Sequence, residues 1–547
     1  MISEREPIRA IHSTALIILA LFAIAPSVWW VLNDHSVWPW DQAWYGEVSA
    51  DLWSTIKWRT AEWPTGMMFA QVPKAPGLAW LGQFFIPLGE QFSSVEIGLM
   101  LMILMLQFAS LVMIGLVGRT LGGNTLWISV VGVAAMASAP LFAAMSHQYL
   151  TEALQCCAVT YFYWIAARSD QRLSSETLAH LLLATGLALA AKTTSPLYCF
   201  LPALLALADI FGQRSPSVLA GKAHITKIGL IVGASGTVLL ILIAMWYWFN
   251  FNAVLDFVRL ASSGDAALDY GRKDFFLNKL GFWIGQAAIS LTAGWTSWIL
   301  LLTITIGVIL RVHHAHSTPS LKHRDFLALA ALIHIVLVLM IFAFQINEET
   351  RYLLPLLPAL VVLLMWSLVQ LKGAATSSSI VLFSVLVAQW SFVHARSFDL
   401  IGPSANLNAW VKPYEQNSQG KKEISDLIAL TSTSQTNGRY IICGVELPWL
   451  NANSLAFFAA KQNSRYGFRS QYTSLGYAEK DIDKAWERLN SLDIVFYISI
   501  EAAKQTKANF INQTSLPVLE RIEKDVRFSR YNFESKQDII VYKNNMN

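Results

Sequence analysis

The chain has 547 residues, of which 54% are hydrophobic and only 14% are charged, and its mean hydropathy is +0.44. A soluble core does not need so much apolar surface, so an ordinary soluble protein is excluded and an integral membrane protein is predicted. The net charge of +4 comes from scattered Lys and Arg residues and not from a basic block, so nucleic acid is not expected as a partner.

Long apolar runs fill the chain up to about Trp390 and then stop. Because a helix needs about 20 apolar residues to cross a bilayer, we predict about eleven transmembrane helices. They are expected near residues 11–32, 96–117, 125–145, 148–167, 177–191, 194–211, 229–250, 281–310, 326–346, 351–371 and 378–393. The first run is longer than a signal-peptide core and no small-residue cleavage site follows it, so it is expected to be a helix of the bundle.

Basic residues between the runs predict the orientation in the membrane. Successive loops between the predicted spans lie on opposite sides of the membrane, and most basic residues fall in the loops of one side. They are Arg119, Arg168, Arg172, Arg214, Lys222, Lys227, Arg311, Lys322, Arg324 and Lys372, and Arg5 and Arg9 lie on the same side. By the positive-inside rule this side, with the N-terminus, is cytoplasmic. The resulting domains are a transmembrane domain, residues 1–393, with a large first extracytoplasmic loop, residues 33–95, and an extracytoplasmic domain, residues 394–547.

The first outside loop is rich in tryptophan and also carries carboxylates. An interfacial aromatic belt accounts for a large share of the tryptophans, but ionisable groups near the membrane are costly and are candidates for function. In the segment from Trp40 to Val48, the spacing predicts a short helix with Asp41 and Tyr45 on one face and Asp41 near its N-terminus. Asp41 is either an ordinary capping residue or a functional carboxylate.

Further polar residues recur at the predicted outer ends of the apolar runs. Taken singly, each is a common snorkelling or capping residue, but together they form two acids and three cations on one predicted face of the membrane. The acids are Asp41 and Glu152, the cations are Lys74, Lys192 and Arg351, and His147 and Tyr352 lie beside them in sequence.

These two classes suit the transfer of a sugar from a polyprenyl-phosphate donor. Cations would stabilise the phosphate that leaves when an acceptor attacks the anomeric carbon. A carboxylate would take the proton of the acceptor hydroxyl as a general base. The partners expected on this interpretation are a polyprenyl-phosphate-sugar donor, a lipid, glycan or protein acceptor, and membrane lipids.

The last apolar runs are flanked by two segments of different composition. The polar loop from Asn250 to Lys279 is expected outside, either as a solvated amphipathic segment on the membrane or as a mobile flap over the substrates. Beyond Arg396 the composition is that of a soluble domain, with strands predicted at 439–444, 493–500 and 538–542 and helices near 454–461 and 479–489. The fold class is thus an all-α membrane bundle with a C-terminal soluble α/β domain.

The order of these segments resembles the GT-C membrane glycosyltransferases, in the branch that contains the protein O-mannosyltransferases and the lipid A aminoarabinose transferase. The stretch from Asp41 to Glu47 is similar to the Asp-Glu-x-x-Tyr-x-Glu motif of that branch, and the stretch from Lys74 to Leu81 to its Lys-Pro-Pro-Leu motif. The segments around Glu152, Lys192 and Arg351–Pro355 follow in the order of the family. The chain departs from the family at Gln42, where an acid is usual, and in its second motif, which has lost one proline and gained a glycine, Gly77.

The resemblance implies residue roles and a location. Asp41 would be the catalytic base and Glu152 its acidic partner, and Lys74 would bind the lipid phosphate. Tyr45, Glu47, His147, Lys192, Arg351 and Tyr352 would bind substrate. A divalent cation is left open, with oxygen ligands from Asp41 and Glu152, and no other cofactor is implied. The chain is expected to be a multi-pass protein of the bacterial inner membrane.

Two other functions remain open at this stage. A polytopic transporter or lipid flippase would also place charges in a helical bundle, but here the candidate charges cluster at one face and the two halves of the chain show no repeat. A non-catalytic subunit of polysaccharide assembly would fit if Asp41 were dispensable.

Overall fold

The structure is a computed structural model of the chain, and it describes residues 5–123, 125–168, 175–212, 226–263, 265–315, 322–432, 436, 438–466, 470–476, 479–501 and 511–545. The chain forms two compact units, each assembled from separate stretches. Unit 1 comprises Met1–Leu32, Val72–Leu78 and Met100–Pro413, and unit 2 comprises Asn33–Gln71, Ala79–Leu99 and Tyr414–Asn547. The predicted division by membrane side, at residue 393, is a different property and stays a prediction.

Most of the described chain is helical. In chain order the helices are α1 Arg5–Asn33, α2 Trp40–Trp58, α3 Trp63–Phe69, α4 Gly77–Gly82, α5 Ile86–Gln91, α6 Val95–Gly122, α7 Leu126–Ser138, α8 Pro140–Met145, α9 Thr151–Arg168, α10 Ser175–Ala191, α11 Ser195–Gly212, α12 Lys227–Ser263, α13 Asp265–Asp269, α14 Phe276–Thr292, α15 Ser297–Ala315, α16 His323–Phe344, α17 Leu357–Gln370, α18 Ala375–Ser397, α19 Gln419–Thr431, α20 Ala452–Tyr466, α21 Ile482–Asn490 and α22 Ser515–Lys524. Short 3-10 helices occur at Thr60–Glu62, Thr350–Leu356 and Lys372–Ala374.

Seven helical segments of the described chain are long and apolar enough to cross a bilayer. They are Ile11–Asn33, Val95–Gly122, Lys227–Asp269, Ser297–His314, His323–Phe344, Thr350–Gln370 and Lys372–Ser397, and three shorter apolar helices are Leu126–Ser138, Glu176–Ala191 and Ser195–Ala208. The chain is an integral membrane protein of the predicted fold class. The expected number of about eleven spans stays a prediction.

Three of the predicted boundaries are wrong. The span expected at 281–310 is two helices, α14 and α15, because the backbone turns at Ala293 and Gly294, which have φ of 52° and 62°. The span expected at 125–145 breaks at Ala139, before Pro140 begins α8. The loop expected from Asn250 is helical up to Ser263, because α12 continues beyond its apolar stretch.

Charged residues join helix ends within unit 1. Arg119 at the end of α6 donates to the Ser13 hydroxyl of α1 at 3.0 Å. Asp325 in the first turn of α16 pairs with Arg311 of α15 at 3.0 Å and accepts a hydrogen bond from the Trp366 indole of α17 at 3.0 Å. The buried carboxylate of Asp325 therefore joins the ends of α15, α16 and α17.

The C-terminal residues of unit 2 form an α/β layer, as predicted. The strands are β1 Tyr440–Cys443, β2 Gln471–Ser474, β3 Ile494–Ile500, β4 Phe528–Tyr531 and β5 Ile539–Asn544, in the sheet order β2-β1-β3-β5-β4. Strand β1 runs parallel to β2 and β3, and β5 runs antiparallel to β3 and β4. Every residue of β3 is buried, which suits a central strand, and Tyr497 from this strand packs with Ile442, Leu519 and Ile522 in the core.

Candidate functional site

Glu152 is the centre of a buried ion cluster in unit 1. It lies in the first turn of α9, and its side chain is only 1% exposed. The Lys192 ammonium lies 2.7 Å from Glu152 Oε1, and the Arg351 guanidinium lies 3.5 Å from the same oxygen. The structure thus brings together three residues that are 40 to 199 positions apart in sequence, as the predicted site requires.

Lys192 and Arg351 lie at the ends of different elements, and both side chains contact the Glu152 carboxylate. Lys192 lies in the turn between α10 and α11, and its ammonium sits 4.0 Å above the Tyr352 ring. Arg351 lies in the 3-10 helix before α17, with its guanidinium 5.8 Å from the Trp410 ring. Such cation–π contacts orient the cations and keep them partly dehydrated.

Glu349 completes the cluster, and its role was not predicted from the sequence. Its carboxylate lies 2.5 Å from the Arg351 side chain, so the cluster holds two cations and two carboxylates. Tyr198 of α11 donates its hydroxyl to the Tyr352 carbonyl at 2.7 Å and so fixes this segment from the other side. The one signal for it in the sequence is that Glu349 lies two residues before Arg351.

The segment that carries Lys74 is packed against the same helix ends. The Tyr149 hydroxyl, three residues before Glu152, donates to the Leu78 carbonyl at 3.0 Å. Gly77 touches the backbone of Ala190, two residues before Lys192, so closely that a Cβ atom at position 77 would lie 2.6 Å from the Ala190 oxygen. The glycine that departs from the family pattern is therefore required by this contact. Lys74 itself lies 5.6 Å from the Phe257 ring of α12.

A second ion cluster lies beside the segment that carries Glu349 and Arg351, and it was not predicted. Lys279 of α14 is only 3% exposed and pairs with Glu348 at 3.4 Å. Its ammonium also donates to the carbonyls of Arg272 and Ile346, at 3.2 and 3.0 Å. The C-terminal part of the predicted polar loop is thus anchored to the residues just before Glu349, so Lys279 is not a solvated surface charge.

Within the part of the chain that the structure describes, His147 packs against an aromatic ring and makes no ion pair with the cluster. Its ring is 3% exposed and lies flat against Trp30 of α1, with 4.2 Å between the ring centroids. This is the packing of an aromatic core residue, and the predicted role of His147 in binding substrate stays a prediction.

Asp41, Tyr45 and Glu47 lie on α2, in unit 2. The predicted helix is present and extends to Trp58, with Asp41 in its first turn. The N-cap residue is Pro39, so Asp41 is not the capping residue. Tyr45 is buried and stacks on Trp44, whereas Asp41 and Glu47 are half-buried.

Glu446 is a carboxylate of unit 2 that contacts Trp40, the residue before Asp41, and it was not predicted from the sequence. Its Oε2 accepts a hydrogen bond from the indole of Trp40 at 3.1 Å. Burial raises the pKa of Glu446 from 4.5 to about 7, against the opposing effect of the Trp40 hydrogen bond. No motif surrounds Glu446, so only the structure could reveal it.

The residues around Glu152 do not fit a divalent cation. Oε1 of this carboxylate already contacts two cations, which would repel a metal ion at the same oxygen. Among the described residues, no group of three or more His, Cys, Asp or Glu side chains could hold a metal. Metal ligation by Asp41 stays a prediction.

Solved structures with a similar fold were found for nearly the whole chain. ArnT from Cupriavidus metallidurans in the apo state matches with a TM-score of 0.57 and 13% identity, over 97% of this chain and 98% of that one. The same protein bound to undecaprenyl phosphate matches with a TM-score of 0.57 and 12% identity, over the same shares of the two chains. The archaeal oligosaccharyltransferase AglB from Archaeoglobus fulgidus, in complex with an inhibitory peptide and a dolichol-phosphate, matches with a TM-score of 0.50 and 13% identity, over 98% of this chain and 74% of that one.

No protein-family model and no curated protein matches the sequence. At 12–13% identity the structural likeness shows the fold alone. That fold is the GT-C fold, as expected from the order of the motifs.

Proposed function

We propose that the protein transfers a sugar from a polyprenyl-phosphate donor to a lipid, glycan or protein acceptor at the extracytoplasmic face of the membrane. The observation that carries this proposal is the Glu152–Lys192–Arg351 cluster, to whose helix ends the Lys74 segment is packed. Two cationic side chains, Lys192 and Arg351, meet at one carboxylate from separate elements, and such a pair is suited to an anionic head group. The similarity of the fold to ArnT and AglB, whose structures hold polyprenyl phosphates, supports the same assignment.

The chemistry needs one base and a stabilised leaving group. The acceptor oxygen attacks the anomeric carbon and the bond from this carbon to the phosphate oxygen breaks, while Asp41 takes the acceptor proton. The phosphate keeps the electron pair of the broken bond, and Lys74, Lys192 and Arg351 stabilise its charge. Glu152 has the role of holding Lys192 and Arg351 in place before the donor binds, since its carboxylate contacts both.

The first test is the transfer of radiolabelled sugar from a panel of polyprenyl-phosphate sugars into membrane acceptors. The comparison is wild type with Asp41→Asn, and Asp51→Asn on the same helix is the matched control. We expect transfer by wild type and by the control, and loss of transfer by Asp41→Asn. Unchanged transfer by Asp41→Asn would reject this residue as the base. No transfer from any donor by wild type would favour a transporter or an assembly subunit.

The second test separates donor binding from chemistry. Undecaprenyl phosphate is titrated onto the purified protein, and its binding is followed by the rise in melting temperature. Lys192→Ala and Arg351→Ala should each weaken binding of undecaprenyl phosphate about 10- to 100-fold. This is the loss of affinity expected when one charge-assisted hydrogen bond is removed. Arg530→Ala removes an exposed guanidinium that pairs with Glu501 and should bind as wild type does. Equal binding by all variants would reject the proposed phosphate site.

A further inference from the structure

The start of helix α2 is held in place without a local cap. Its N-cap residue, Pro39, offers no side-chain hydrogen bond, and Trp40, the first helical residue, has a φ of +22°. L-residues seldom adopt such a backbone conformation, and it persists only where the surroundings hold it. Asp41 follows directly, so whatever holds Trp40 also fixes where the Asp41 carboxylate stands.

The contacts that hold Trp40 come from residues more than 400 positions away in sequence, within unit 2. Its indole donates to Glu446 Oε2 at 3.1 Å, and its carbonyl oxygen accepts from the Asn453 amide at 3.3 Å. The preceding turn is held from the same helix, α20. There the Ser454 hydroxyl donates to the Trp38 carbonyl at 2.7 Å, and the Phe457 ring stacks on the Trp38 ring at 5.1 Å.

Glu446 is itself fixed by its neighbours. Asn512 accepts from the Glu446 backbone N–H at 2.7 Å and donates to the Glu446 carbonyl at 3.0 Å. The carboxyl group is mostly buried, and its pKa of about 7 leaves a substantial protonated fraction at neutral pH. Its contact with Trp40 therefore needs an acceptor oxygen and does not need a full negative charge.

We propose that Glu446 and Asn453 are positioning residues for Asp41, which they act on by clamping Trp40. The C-terminal domain thereby acts on the reaction through the position of Asp41. The inference rests on the proposed function of Asp41 as the base. It assigns a role to a domain in which no catalytic motif was recognised.

The experiment measures amide hydrogen exchange of residues 41–46 and the transfer kinetics of the same full-length variants. Glu446→Ala removes the acceptor, Trp40→Phe removes the indole donor, and Glu446→Gln keeps an acceptor oxygen. The matched control is Glu423→Ala, which removes another buried carboxylate of unit 2 whose hydrogen bonds go to Gln419 and Ser535.

We expect faster amide exchange at residues 41–46 in Glu446→Ala and in Trp40→Phe. In both variants kcat should fall about 10- to 100-fold with little change in the KM for the donor, because the catalytic group is misplaced. The double variant should lose no more than the worse single variant, because both changes break one contact. Glu446→Gln should recover most of the loss, and Glu423→Ala should change neither readout at residues 41–46.

Two results would overturn the clamp. One is unchanged exchange at residues 41–46 in Glu446→Ala, and the other is additive losses in the double variant. Failure of the proposed function would look different. If exchange responds as expected but Asp41→Asn retains full transfer, the clamp stands and the assignment of Asp41 as the base is wrong.

Discussion

Gly77→Ala is the sharpest test of how the Lys74 segment is positioned. A Cβ atom at this position would lie 2.6 Å from the oxygen, 2.7 Å from the carbonyl carbon and 2.8 Å from the Cβ of Ala190. Real Cβ atoms do not approach other atoms so closely, so the Lys74 segment or the end of α10 must move. Overpacking of this kind costs about 1–3 kcal/mol in the free energy of unfolding.

The same displacement should impair donor binding. Residue 77 lies three positions after Lys74, and Ala190 lies two positions before Lys192, so movement of either backbone separates two of the proposed phosphate ligands. We expect weaker binding of undecaprenyl phosphate, by about tenfold or more if one charge-assisted hydrogen bond is lost. Melting temperature in detergent and the titration of the lipid phosphate measure the two effects on one sample.

Two further variants make the test decisive. Gly281→Ala, within helix α14, meets no atom within 4 Å and should be neutral or stabilise by about 0.5–1 kcal/mol through helix propensity. Ala190→Gly should not rescue Gly77→Ala, because two of the three closest atoms belong to the backbone. A Gly77→Ala protein with the stability and lipid binding of wild type would refute the argument.

Three other predictions concern buried carboxylates. Glu152→Ala should lower the free energy of unfolding by about 3 kcal/mol, because it leaves Lys192 without its 2.7 Å partner, and a melting temperature equal to that of wild type would contradict this. Because the folded pKa of Glu446 is about 7 against 4.5 in the unfolded chain, the folded state binds more protons between these values, and stability should fall as the pH rises from 4.5 to 7. The upper limit is about 3 kcal/mol, at about 1.4 kcal/mol per pH unit, and melting curves of wild type and Glu446→Gln should diverge over this range. Asp325→Ala should destabilise by about 2–3 kcal/mol through loss of Arg311, yet leave the KM for the donor unchanged in the folded fraction, and an altered KM would count against the assigned site.

The sequence alone predicted the membrane class, the helix that carries Asp41 and the convergence of Glu152, Lys192 and Arg351. These features depend on local information. Apolar run length reports what can cross a bilayer, side-chain spacing reports the face of a helix, and the positions of charges at the ends of runs report the side of the membrane.

The sequence did not reveal the turn at Ala293 and Gly294 that divides a predicted span. A long apolar run predicts one continuous helix, and apolar periodicity carries no information on the backbone angles that end it. Nor did it reveal why a glycine is needed at position 77, since the reason is the backbone of Ala190, which is distant in sequence. Glu446 carries no motif, and only the packing of residues 446–457 against Trp38 and Trp40 brings it into contact with the Trp40 indole, one residue before Asp41. Tertiary structure decided these points because each depends on atoms that meet across more than 100 residues of chain or on a backbone angle, and neither is encoded in local composition or periodicity.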